Sequence, residues 1–388
     1  MFSKNFKVQN FTKTKVTSKL KLYYRKIIEE RNNKKNILNS MTKSYNYSFN
    51  RFQIKKLNKY NNVIIFGMGG SSLGSQAIYE FMKFKIKKNF FFYNNLDKKN
   101  EKIKDKYKEK SINIIISKSG GTLETIVNEN LFSKKEKFYI TEKTKNYLRK
   151  MASILKSEVI EHKNFIGGRY SVLSEVGMLP AELMGLNSKK FKQLNNLILK
   201  KNFEKNLLNN VSSIYKLASS GKTNSIILNY DESSYSFFKW YQQLVAESLG
   251  KNSKGILPII SDMPRDNHSL MQLYLAGTKN CFYTFFDVLE KKSSKINNKL
   301  LLSNFKFLKN HNLNSIKNAQ KNATKKVFRQ KKIPFRSFEI KKKSEECLGE
   351  LFTYFMLETI LLGRLLKINP FDQPAVELIK IETKKILA

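Results

Sequence analysis

Apolar runs of strand length alternate with helical segments at βα spacing in two separate blocks of this chain, and that alternation leaves few folds open. NVIIFG, NFFFY, SINIIIS and KFYIT are strand-length runs before about residue 160, and AIYEFMKF, LETIVNENLF and TEKTKNYLRKMASIL read as the helices that follow three of them. Strands this apolar, joined by helix-sized connections, are what a parallel sheet covered on both faces requires. A second block repeats the pattern. NSIILNY, GILPII, CFYTFFDVLE and IPFRSFEI read as its strands, with SSYSFFKWYQQLVAESLGK, DNHSLMQLYLAG and NSIKNAQKNATKKVFRQ as its helices. The fold class is therefore α/β, two α/β/α sandwich domains with parallel-type sheets, closed by long C-terminal helices in SEECLGELFTYFMLETILLGRLLK and PAVELIKIETKKIL. The expected organisation is a helical lead-in over residues 1–44, a first sandwich over 45–195, a second over 196–345, and C-terminal helices over 346–388 packing back on the site.

A chain of 388 residues, 41% hydrophobic and 12% aromatic, can fill two such cores. Its formal charge of +42 is the one bulk number that suggests a nucleic-acid or membrane-surface partner. The lysines are spread along the whole chain, however, and lysine far exceeds arginine. A dedicated nucleic-acid domain concentrates its charge and uses arginine forks. Compositional drift is the better reading, with no nucleic-acid partner expected. Cys281 and Cys347 lie far apart with no metal-like flanks, which argues against a zinc site or a disulfide framework and for a reducing cytoplasm. The N-terminal MFSKNFKVQNFTKTKV lacks the apolar core of a signal peptide. No apolar run approaches the roughly 20 residues of a membrane span.

Two loops of the first block leave strands directly, where ligands bind in open parallel sheets. Gly67, Gly69, Gly70, Ser71 and Ser72 form one; Ser117, Lys118, Ser119, Gly120, Gly121 and Thr122 form the other. Glycines let backbone approach an anion, and the following helix offers free N–H groups. GMGGSSLG lacks the dinucleotide spacing, and KSGGT lacks the P-loop order. Two serine-rich cups in one domain suit a sugar phosphate better than a nucleotide. Further on, Arg169 follows Gly167 and Gly168, and could hold an oxyanion with fixed donors. In isolation, a surface arginine at a turn is the better reading. Glu247, His268 and Lys380 are each ordinary alone: a solvated glutamate, a helix cap, one lysine among many.

Together these residues carry a resemblance. VIIFGMGGSSLGS, SKSGGTLET, IGGRYSVLSEVG, WYQQLVAESLGK, DNHSLMQLYLAGT and NPFDQPAVELIK stand in the order found in phosphoglucose isomerases, across residues 63–380. The C-terminal motif differs from many members at Pro374, Ala375 and Ile379, and its proline form and the short chain look like the compact bacterial branch. The resemblance implies sugar-isomerase domains, a homodimer with shared active sites, and no cofactor or metal. It implies that Gly70, Ser71, Ser117, Lys118, Ser119 and Thr122 hold the substrate phosphate and that Gly168 and Gln243 line the site. Glu247 would move the proton between C1 and C2, and Arg169 would stabilise the enediolate. His268 would open the sugar ring from the neighbouring subunit, assisted by Lys380. The implied substrates are glucose 6-phosphate and fructose 6-phosphate.

That chemistry is self-consistent. Ring opening needs an acid–base pair. Isomerisation needs a carboxylate reaching two adjacent carbons and a cation on the enediolate oxygens. The phosphate supplies remote binding energy. The competing readings are an enzyme that also isomerises mannose 6-phosphate and a non-catalytic sugar-phosphate sensor. Retention of the glutamate, arginine and histidine favours an enzyme.

Overall fold

The computed structural model describes residues 2–12, 14–97, 111–132, 136–289 and 293–388. The lysine-rich connection expected after NFFFY lies largely outside the described residues, as does the end of CFYTFFDVLE. Among the described residues, ten strands form two five-stranded sheets. The first sheet holds β2 (Asn62–Phe66), β3 (Asn89–Tyr93), β4 (Ser111–Ile116), β5 (Lys137–Thr141) and β6 (Glu158–Glu161), in the order β3-β2-β4-β5-β6, parallel throughout. The second holds β1 (Phe6–Gln9), β7 (Asn224–Asn229), β8 (Leu257–Asp262), β9 (Cys281–Val288) and β10 (Phe335–Ile340), in the order β1-β10-β9-β7-β8. All its pairings are parallel except β1 with β10, where Phe6 faces Ile340.

Two of these strands differ from the sequence reading. Residues 1–44, read as a helical lead-in, give a strand as well as the helix Ser18–Glu30, because the short alternating FKVQ covers the otherwise open edge of β10. Its partner lies at the other end of the chain, so no local period marks it. β6 is only four residues long, and it too leaves little periodic signal.

The longest of the described helices packs on the turn Ser188–Phe191 as well as on the second sheet. Glu345–Leu366 is buried along nearly its whole length, so it is apolar all round rather than along one stripe. Its interior carboxylates are each matched. Glu350 accepts from Ser3 Oγ at 2.5 Å and Asn5 Nδ2 at 2.9 Å, and Glu358 binds Arg336 through both Nη atoms. The helix Tyr235–Leu249 packs between the sheets, with Phe237 and Trp240 against Phe352.

At the C-terminal end of β6, His162 is buried, and its Nδ1 lies 3.2 Å from the Lys163 carbonyl. Burial pushes its pKa down from 6.5 to about 4. The unfolded chain therefore binds a proton that the folded chain refuses between those values. Stability from this group is present above pH 6.5 and falls as pH drops toward 4. Over that window the loss is about 3 kcal/mol. Urea midpoints of wild type and His162→Gln should differ in slope with pH across this window; parallel curves would remove His162 from acid sensitivity.

Candidate active site

The glycine-serine loop after β2 and the polar loop after β4 lie side by side beyond the carboxyl edge of the first sheet. A β-carbon at Gly67 would stand 2.9 Å from Ser71 Cβ and 3.0 Å from the Ile116 carbonyl. Across the second loop, the Ser117 and Thr122 hydroxyls are 2.9 Å apart, and Ser119 Oγ accepts from the Gly121 amide at 3.3 Å. Lys118 leaves this group. Its Nζ donates to the Asn164 carbonyl at 2.7 Å and pairs with Glu142 at 3.3 Å, on the β5–β6 side.

The first loop also meets the rest of the candidate residues. Gly69 has φ +51°, which favours glycine, and a β-carbon there would stand 2.7 Å from Gln243 Nε2 and displace that side chain. A β-carbon on Gly70 would lie 2.1 Å from the Gly168 carbonyl, which brings the turn Gly168–Leu173 onto the loop. Arg169, next in the chain, has a side chain only 1% exposed. Trp240 Nε1 donates to its carbonyl at 3.1 Å and fixes the turn against the helix Tyr235–Leu249.

On that helix, Gln243 and Glu247 are one turn apart and face the same way. Gln243 Nε2 donates to Glu247 Oε1 at 2.8 Å, and Arg169 Nη1 donates to Glu247 Oε2 at 3.2 Å. The glutamate side chain remains 30% exposed, so one carboxylate is oriented from both oxygens yet open to a ligand. Gln243 Oε1 is a buried acceptor without a partner among the described residues.

Gly70, Ser71, Ser117, Ser119, Thr122, Gly168, Arg169, Gln243 and Glu247 are thus contiguous. His268 and Lys380 are not part of this group within one chain. The His268 amide donates to the Arg265 carbonyl, and Arg265 lines a cleft with Tyr235 at the start of the helix. Glu247 lies about 18 Å further along at 1.5 Å per residue. Lys380 sits on the helix Val376–Leu387, of which no residue is buried, and its Nζ bonds Glu377 at 2.6 Å. What does pack back on the site is the segment Asn369–Gln373 that precedes this helix.

Several neighbours carried no signal in the sequence. Ser248 Oγ accepts from Arg169 Nε at 2.8 Å and lies 3.0 Å from Tyr170 Oη. Burial pushes the Tyr170 phenol pKa up. Gln373 Oε1 accepts from Arg169 Nη1 at 2.6 Å. Among the described residues no group of three histidine, cysteine or acidic side chains is arranged to hold a metal ion, and no helix is long and apolar enough to cross a membrane.

A carboxylate flanked by a buried guanidinium, beside two hydroxyl-lined loops at a parallel sheet, is an arrangement that can accept an anion and transfer a proton. The fold class is the two-sheet sugar-isomerase type. A solved hypothetical protein from Thermus thermophilus superposes with TM-score 0.81 over 95% of this chain and 94% of that one, at 21% identity. A glucose-6-phosphate isomerase from Chlamydia trachomatis superposes with TM-score 0.69 over 87% and 71%, at 20% identity. In sequence, the model of the phosphoglucose isomerase family matches residues 25–388. Glucose-6-phosphate isomerase of Methanocaldococcus jannaschii is 33% identical over 88% of this chain and 86% of its own length, and that of Campylobacter jejuni is 31% identical over 84% and 85%. This chain belongs to the phosphoglucose isomerase family.

Proposed function

We infer that this protein interconverts glucose 6-phosphate and fructose 6-phosphate, with Glu247 as the base that carries the proton between C1 and C2. The observation that carries this reading is the orientation of one partly exposed carboxylate from both oxygens, by Arg169 and by Gln243. A base that serves two adjacent carbons must reach both without losing its aim, and two side-chain donors permit a small swing. As charge develops on the C1 and C2 oxygens, Arg169 is the adjacent fixed cation that offsets it. Gln243 Oε1, buried and unpartnered, suits a hydroxyl donor of the substrate. Ser71, Ser117, Ser119 and Thr122 hold the phosphate with the backbone of Gly70. Lys118 reaches it by exchanging the Asn164 carbonyl for the anion.

His268 opens the ring in this scheme, and it does so across a dimer. Its distance from Glu247 within one chain supports that arrangement, as do the exposed apolar side chains Leu300, Phe307, Leu378 and Ile386, whose burial would favour self-association. Lys380 belongs to the same completed site. The compartment we assign is the cytoplasm.

Two experiments test this reading. In deuterium oxide, the wild type should place deuterium on the carbon alpha to the carbonyl of recovered substrate, observed by proton NMR; turnover without any exchange would favour a route that shields the proton or avoids it. Mixing two inactive variants, Glu247→Gln and His268→Ala, after unfolding and refolding together should restore about a quarter of wild-type activity, since half the dimers are mixed and each has one intact site. No recovery from dimers shown to be mixed would put His268 in its own subunit's site or outside catalysis.

A further inference from the structure

Every N–H donor of Arg169 is engaged. Nε serves Ser248, and Nη1 serves Glu247 and Gln373; Nη2 donates to the Pro370 carbonyl at 2.8 Å and the Asp372 carbonyl at 3.0 Å. A guanidinium has five such donors, so none is spare. Three of the five contacts go to the segment 370–373. The aim of the arginine is therefore set by where that strap lies.

The strap has few anchors of its own, and Phe371 and Asp372 are exposed. Tyr170 Oη donates to the Pro370 carbonyl at 3.1 Å, and Asn369 Nδ2 donates to Asp372 Oδ2 at 2.9 Å. Pro370 is buried near Gly363, the Phe371 ring lies 5.7 Å from that of Tyr170, and a further anchor is Lys251. Its Nζ donates to the Asp372 carbonyl at 2.6 Å, to Asp372 Oδ1 at 2.9 Å and to the Glu247 carbonyl at 3.3 Å. Three ammonium protons meet three acceptors. The Asp372 carbonyl accepts from Lys251 and Arg169 together. The same lysine thus grips the backbone of the glutamate's helix and the strap that aims the arginine. Its ion pair holds the Asp372 carboxyl below the ordinary aspartate range.

Resting on the isomerase reading above, we propose that Lys251 is a positioning residue, which sets the separation and angle between Arg169 and Glu247 by locking the strap Asn369–Gln373 to the end of the helix Tyr235–Leu249. It does not touch the reacting carbons. A pair with one partner as open to solvent as Asp372 ordinarily contributes little to stability. Misplacing a guanidinium that must meet developing charge has a much larger effect on rate.

The test uses the full chain and the variants Lys251→Met, Lys251→Arg and Asp372→Ala. Each is assayed for kcat and KM, and for the affinity of two inhibitors. One is a sugar-phosphate hydroxamate, whose planar oxygen pair mimics the enediolate. The other is an open-chain polyol phosphate, which lacks that pair. Lys251→Met should lower kcat by about tenfold or more with KM within roughly threefold. Hydroxamate affinity should fall by the same factor as kcat/KM while polyol phosphate affinity holds. Lys251→Arg should restore most of the rate. Asp372→Ala should reproduce the pattern, and the double variant should be no worse than the poorer single. If Lys251→Met does not fold, Asp372→Ala decides alone. Rates within about twofold of wild type, or equal weakening of both inhibitors, would overturn the proposal. A wild type that binds both inhibitors without turnover would instead sink the isomerase reading, and this proposal with it.

Discussion

Replacing Glu247 by glutamine is expected to lower kcat by about 10³-fold or more, with affinity for fructose 6-phosphate kept within about threefold. Glutamine preserves the shape of the side chain, but its single oxygen accepts from only one of the two donors that orient the carboxylate, so with Arg169 kept, Gln243 turns its amide to present Oε1 to the new N–H. What it removes is the proton acceptor. The phosphate loops and Arg169 are untouched, so the remote binding energy survives while the chemical step fails. Steady-state rates beside calorimetric binding separate these effects. A variant keeping more than a few per cent of the wild-type rate would move the base elsewhere. Loss of binding in step with rate would mean that Glu247 organises the site rather than acting in it.

The largest stability effect should come from the buried pair between β10 and the helix Glu345–Leu366. Arg336 and Glu358 are both essentially inaccessible, joined by two hydrogen bonds, and Arg336 Nε also donates to Thr284 Oγ1 at 3.0 Å. Glu358→Ala leaves a guanidinium in the core without its carboxylate partner. The expected loss is about 3–5 kcal/mol, read from denaturant midpoints at constant slope. Replacing both partners with apolar side chains, Arg336→Met with Glu358→Leu, should recover most of it, because the desolvated charge is gone. A loss below about 1 kcal/mol in the single variant would mean that water reaches Arg336. The pair pins β9 and β10 to the long helix and does not touch Arg169, so folded protein should retain its rate.

How much of this was legible beforehand depended on range. The strands β2, β4 and β5 announced themselves because each is an apolar run buried on both faces, and the loops after β2 and β4 followed from them. The strand Phe6–Gln9 did not, since its order comes from Ile340 and its neighbours, more than three hundred residues away. Within the site, Glu247 and Gln243 share a helix face and could be paired from their spacing. Arg169 reached them only through motif resemblance. The contacts of Ser248, Tyr170 and Lys251 were invisible for a physical reason: their partners include backbone carbonyls and short polar side chains, which leave no period or composition in the sequence. Resemblance also implied that His268 enters from the neighbouring subunit and that Lys380 assists it; within a single chain Lys380 pairs with Glu377 on an exposed helix.

The most direct test of the central claim is a coupled assay that follows conversion of fructose 6-phosphate to glucose 6-phosphate by the purified full chain. Turnover by the wild type, reduced to background in Glu247→Gln, is the result this account requires. Well-folded wild-type protein that binds fructose 6-phosphate and leaves it unchanged would contradict it, and would make the chain a sugar-phosphate sensor built on an isomerase fold.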